Sequence, residues 1–185
     1  MCEFIFLLRV PLLFTVISDL SHFVICVITQ QWAKSMNPSA SERALKLLRE
    51  VPNPDECSYN SVLHAMTKQT TGTEMVTSAE ELFEEMKGLK EKKHLSISEI
   101  TFHVMMNVYG KSRNVDGATK AEALLRSMQS DGLSLNATSY NICIDAYARR
   151  GDSKKAKSLL DEMIAISEVH TECQPTIHSF AAVVS

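Results

Sequence analysis

The sequence predicts an all-α fold built as a solenoid of paired helices. Three observations carry that prediction. The stretches AEELFEEM (79–86) and AKSLLDEM (156–163) read as copies of one another, with looser versions in ALKLLREV (44–51) and AEALLRSM (121–128). Each copy has apolar residues three, four and seven positions after its alanine, which is one stripe of a 3.6-residue helix. A second stripe of the same kind precedes each of the last three copies.

The four alanines, Ala44, Ala79, Ala121 and Ala156, lie 35, 42 and 35 residues apart. Their stripes are Leu47, Leu48, Val51; Leu82, Phe83, Met86; Leu124, Leu125, Met128; and Leu159, Leu160, Met163. The preceding stripes are Tyr59, Val62, Leu63, Met66; Phe102, Met105, Met106, Tyr109; and Tyr140, Cys143, Ile144, Tyr147. A further one starts with Phe180, Val183 and Val184, where the chain stops. That end predicts a truncated chain, poorly soluble alone. Upstream, Ile25, Ile28 and Trp32 fit the pattern less well.

The unit is thus first helix, turn, second helix, loop. One unit buries too little apolar surface to offset the entropy of ordering its backbone, so neighbours must share faces. Stacking does this, which is why the motif repeats. Length varies between the two helices. Seven steps separate Arg149 from Ala156, ten Lys111 from Ala121, and eleven Lys68 from Ala79. The added residues, TTGTE and NVDGAT, are turn formers and are expected in loops. The charged run KGLKEKKH (87–94) is expected as a solvated loop.

Composition sets outer bounds. The chain has 185 residues, is 45% hydrophobic and 22% charged, and carries a net charge of -3. These are ordinary values for a globular chain. Bulk charge does not point to nucleic acid, so any such contact must rest on local residues. Cysteines at 2, 26, 57, 143 and 173 are odd in number, widely spaced and without a C-x-x-C pair. Neither a disulfide framework nor a metal site is expected, and no cofactor is implied.

Residues 1–29 are of another kind, apolar but interrupted by Arg9, Asp19 and His22. No uninterrupted run reaches the ~20 residues of a membrane span, so a membrane partner is not expected. Val10–Ser18 resembles a secretory apolar region, yet Glu3 stands where a basic residue belongs and no A-x-A site follows. Three readings stay open: a degenerate buried helix pair, a weak signal or anchor, or a mis-assigned start. No clear transit peptide is visible.

The unit ATSYNICIDAYARRGDSKKAKSLLDEM (137–163) resembles a pentatricopeptide repeat. The likeness lies in T-S-Y-N opening the first helix, A-Y-A-R-R-G closing it, and A-x-x-L-L-x-E-M in the second. ECSYNSVLHAMTKQ with AEELFEEM (56–86) resembles it equally, and EITFHVMMNVYGKS with AEALLRSM (99–128) more loosely. The tetratricopeptide repeat, also a helix pair, fits worse: its W-x2-L-G-x2-Y signature is absent. The resemblance implies a right-handed superhelical solenoid. The expected divisions are an apolar segment at 1–29, a partial degenerate repeat at 30–55, repeats at 56–98, 99–136 and 137–176, and the start of another at 177–185.

The resemblance also implies function: single-stranded RNA bound one base per repeat, in organellar RNA processing, stability or translation, in mitochondrion or chloroplast. It implies base readers in pairs, the residue after the first-helix aromatic with the last residue of the repeat. These are Asn60 with Ser98, His103 with Asn136, and Asn141 with Thr176, cytosine being expected for the first pair. A poor first pair would be Cys26 with Asp55. An amide offers both donors and an acceptor to a base edge. The bland alternative for each asparagine is a helix-start residue bonding local backbone. Lys68, Lys111 and Arg149, with Lys34 upstream, would touch the RNA backbone or simply favour their helix C-termini. Base contacts of ~1–3 kcal/mol each set against an association cost of about 4–15 kcal/mol predict weak binding by three repeats. The competing reading is a scaffold whose groove binds a protein or peptide.

Catalysis is not expected. His170-Thr171-Glu172 matches the H-x-E of zinc deaminases, but no P-C-x-x-C follows. No P-loop or G-x-S-x-G occurs.

Overall fold

The computed structural model describes Val27 and residues 40–51, 53–69, 73–92 and 95–184. Apart from Val27, the readings of residues 1–39, including Trp32, Lys34 and the Cys26 pairing, lie outside the described residues. The helices are α1 (Ala40–Glu50), α2 (Glu56–Gln69), α3 (Thr73–Glu91), α4 (Glu99–Lys111), α5 (Gly117–Ser130), α6 (Ala137–Ala148), α7 (Ser153–Ser167) and α8 (Ile177–Val184). A 3-10 turn, Thr171–Cys173, precedes α8, and no strand occurs among the described residues.

The first helices of the units, α2, α4, α6 and α8, pack on one another in series and form one layer. The second helices form the other, each seated between its own first helix and the next. The predicted stripes are the core: every stripe residue from Tyr59 to Met163 is buried. Phe83 meets Phe102 edge to face across a unit boundary, with ring centroids 5.6 Å apart. A Cβ on Gly110 of α4 would lie 3.2 Å from the Ala146 Cβ of α6, so small residues let these two helices approach closely.

Polar seams fix the register between units. Glu162 on α7 takes Arg126 of α5 in a bidentate pair and the Tyr140 hydroxyl of α6 at 2.9 Å. One arrangement earlier, Glu85 on α3 takes Arg49 of α1 at 2.6 Å and the Tyr59 hydroxyl of α2 at 2.7 Å. Between them the matching residues are Glu84, Ser127 and Phe102, so the phenol and its carboxylate are absent together. A second seam joins Lys120 and Tyr109 to Glu80, and Lys155 and Tyr147 to Glu122.

Two expectations need correction. The insertions are partly helical: Thr73 and Glu74 open α3, and Gly117, Ala118 and Thr119 open α5. The run KGLKE continues α3 to Glu91, because Leu89 packs on the core and Lys and Glu are good helix formers. The last stripe is uncovered, as expected of a first helix without its second: in α8 the buried residues are Ser179 and Ala182, and Phe180 is 49% and Val184 87% exposed. Among the described residues no second helix covers that face. No described helix is long and apolar enough to cross a membrane.

Candidate nucleic-acid interface

The N-terminal edge of the first-helix layer is built from a repeated polar row. The residue before each first-helix aromatic is a small hydroxyl: Ser58, Thr101, Ser139 and Ser179, all fully buried. Each has too short a side chain to reach water and bonds helix-start groups instead. Ser58 donates to Asp55 at 2.6 Å, and Ser139 to Asn136 at 3.2 Å. Asn136 also accepts from the Ser139 amide and so caps α6. Ser98 caps α4 through the Ile100 amide.

The candidate readers sit on this row, where consecutive first helices meet. Asn141 of α6 faces the cap of α8: its amide nitrogen is 3.5 Å from the Thr176 hydroxyl, and its oxygen accepts from Ser179. His103 of α4 touches Ser139 at 2.7 Å through Nε2, and Ser139 in turn holds Asn136. Burial draws the His103 imidazole below its ordinary value, against the opposing pull of Glu99. Asn60 and Ser98 line one groove pocket of about 380 Å³ with Glu56, Cys57, His64 and Val104. Each proposed pair thus occupies one junction, and the three junctions recur at equivalent positions of the stack. The hydrogen bonds of Asn60 and Asn141 run to side chains, those of Glu56 and of Thr176 and Ser179, rather than to local backbone, whereas Ser98 and Asn136 are helix caps.

The basic residues are less uniform. Lys111 is exposed at the end of α4. Arg149 is exposed and pairs with Asp145 one turn back at 2.8 Å. Lys68 lies in α2, and its side chain is outside the described residues.

Two residues that pattern reading passed over are central. Arg150 turns inward and donates to the carbonyls of Tyr109, Gly110, Ser112, Asn114 and Ala146, at 2.9–3.3 Å. It closes the C-terminus of α4 from the next unit. Glu56 accepts from the Ser98 amide at 2.8 Å, the Ser98 hydroxyl, the Thr101 hydroxyl at 2.9 Å and Ser96 at 3.1 Å. Burial pushes its carboxyl up, but these four bonds outweigh it and hold it below the ordinary range. A signal existed for Glu56, which leads its unit as Glu99 leads the next. For Arg150 there was none, because Arg149 beside it is chemically identical.

The H-x-E stretch has a structural place. Thr171–Cys173 forms the 3-10 turn, and the buried Cys173 thiol donates to the Leu135 carbonyl at 3.1 Å.

Comparison with known proteins agrees with this architecture. Residues 100–133 and 138–166 match the family model of the pentatricopeptide repeat. A pentatricopeptide repeat-containing protein of Arabidopsis thaliana is 27% identical over 143 residues, which is 77% of this chain and 24% of that protein. The chain thus spans about a quarter of the length of that relative. The pentatricopeptide repeat domain of Arabidopsis thaliana protein-only RNase P 1, solved in complex with tRNA, superposes with a TM-score of 0.66 at 19% identity. That match covers 89% of this chain and 79% of the other, and it shows a shared solenoid fold.

Proposed function

We propose that this chain, which carries pentatricopeptide repeats, binds single-stranded RNA along the edge of its first-helix layer. One observation carries the reading. Three polar pairs, Asn60 with Ser98, His103 with Asn136 and Asn141 with Thr176, fall at equivalent junctions of stacked helices, one per unit. A solenoid that repeats a polar junction at a fixed step suits a polymer that repeats a base at a fixed step. The tRNA complex of the structural relative supports the ligand class.

In this reading the three junctions meet base edges, Asn141 most directly, while Lys111, Arg149 and Lys68 neutralise phosphates and add affinity without sequence information. The mechanism is occupancy without catalysis: a short strand is held, which guides processing, stability or translation of an organellar transcript. Mitochondrion or chloroplast is the proposed address.

Filter binding to pyrimidine-rich single-stranded RNA tests the proposal. The variant Asn141→Ala should bind about fivefold more weakly, from about 1 kcal/mol for the base interaction removed. Unchanged RNA binding in that variant would refute base reading. A chain that retains no RNA but captures a peptide would favour the scaffold reading.

A further inference from the structure

The three junctions are not alike, and the difference lies in one residue. At the α6–α8 junction the first helical residue of α6 is Ala137, and the buried hydroxyl of Ser179 is given to Asn141. At the α4–α6 junction Glu99 lies within 3.4 Å of the Asn136 amide, and the Ser139 hydroxyl meets His103. At the α2–α4 junction Glu56 intervenes. It takes the Thr101 hydroxyl, the counterpart of Ser179, away from Asn60. The Asn60 amide nitrogen turns toward Glu56 at 3.4 Å, and its buried oxygen has no hydrogen-bond partner among the described residues. Asn60 is therefore oriented inward and offers little to a base.

The carboxylate is unevenly used. Oε1 faces the amide and hydroxyl of Ser98, Thr101 and Asn60, whereas among the described residues Oε2 accepts only from Ser96 at 3.1 Å. A carboxylate oxygen has two acceptor sites, so Oε2 keeps one in reserve. Glu56 lines the same 380 Å³ pocket as Asn60, Ser98 and the apolar Ile100 and Val104. An acceptor-only group in that place pairs with the exocyclic amine of cytosine or adenine and repels the O4 carbonyl that uracil places there.

We propose that Glu56, rather than Asn60, sets base preference at the α2–α4 junction, selecting an amine-bearing base over uracil through its free Oε2 site. The inference rests on the RNA-binding reading above. Glu56 is a specificity-determining residue of that surface, and Asn60 positions it.

The test uses the whole chain, with fluorescence anisotropy on labelled oligocytidylate, oligoadenylate and oligouridylate of equal length. The unchanged chain should bind the first two more tightly than the third. Glu56→Gln should lower the preference for cytosine over uracil about fivefold. The four donors at Oε1 hold the glutamine oxygen there and turn its NH2 into the pocket, converting an acceptor into a donor. Asn60→Ala should move the ratio less than twofold. Glu56→Asp, which keeps the charge but withdraws it by one methylene, should also narrow the ratio and serves if Glu56→Gln melts early by circular dichroism. An unchanged ratio in both Glu56 variants overturns the inference. If RNA still binds and Asn141→Ala weakens it, the RNA reading survives that outcome. If the unchanged chain binds none of the three, both fall.

Discussion

Replacing Arg150 with alanine strips five carbonyls of a charged donor at once. Four of them, those of Tyr109, Gly110, Ser112 and Asn114, belong to the preceding unit, and the fifth is Ala146. Helix C-terminal carbonyls have no partner within their own helix, and a guanidinium closes several with one planar group. A hydrogen bond from a charged donor contributes roughly 1.5–3 kcal/mol in isolation. The side chain is half-buried, and water can reach part of the vacated space, so the contributions do not add. A destabilisation of about 3 kcal/mol follows, which lowers the melting temperature by about 6–12 °C in a chain of this length. Arg149→Ala is the internal control. Its pair with Asp145 is exposed, with side chains 53% and 34% accessible, and should cost only about 0.3–0.5 kcal/mol. Gly117→Ala approaches the same site from the other side, because a Cβ there would collide with the Arg150 guanidinium and the Tyr109 carbonyl. Thermal melts followed at 222 nm decide the matter. If Arg150→Ala and Arg149→Ala melt within about 1 °C of each other, the clamp is not a determinant of stability and the reasoning fails.

Glu162→Ala should cost more than Tyr140→Phe, because it leaves the buried phenol without its acceptor and the Arg126 guanidinium with only the longer 3.5 Å pair to Glu122 among the described residues. Urea denaturation should show about 1–3 kcal/mol for the former and about 1 for the latter. Acid should destabilise the chain through Glu56 and Glu162, both held below the ordinary carboxyl value of 4.5. A depressed folded value means that the stabilisation is complete above the unfolded value and disappears as pH falls through the folded one. Melting temperature should therefore be flat near neutrality and decline below about pH 4.5, less steeply in Glu56→Gln/Glu162→Gln. Thiol labelling near pH 8, mapped by mass spectrometry, should modify the exposed Cys57 readily. Cys143, which is buried and has its thiol pushed up to about 12 by that burial, should react only on unfolding. Because Cys57 lines the groove pocket, bound RNA should slow its labelling. Alanine at both Lys111 and Arg149 should flatten the dependence of RNA affinity on salt, by about 0.7 in log–log slope for each phosphate no longer neutralised.

The helices and their buried faces were legible in the sequence because apolar burial is non-directional. A residue needs only to lie on the right side of a helix, and the 3.6 period records that side. Tyr59, Phe102 and Tyr140 could be placed in the core without knowing what they touch, and all three are there. The stacking of units followed from the same stripes, since no unit closes its own core. Errors arose where the stripe is silent. The inserted Gly117-Ala118-Thr119 joined a helix, with the bare Gly117 backbone fitting against the Arg150 guanidinium and the Tyr109 carbonyl where a Cβ would collide.

Sequence alone thus determined that the chain is a stack of helix pairs and which residues hold it together. Tertiary structure decided what the polar residues do. Arg149 and Arg150 are adjacent and identical, yet one faces solvent and the other closes a helix 36–41 residues away. Glu56 meets Ser98 across 42 residues of chain. Hydrogen bonds and ion pairs are directional and act over about 3 Å. Their partners depend on the crossing and rotation of helices far apart in sequence, which no local period encodes.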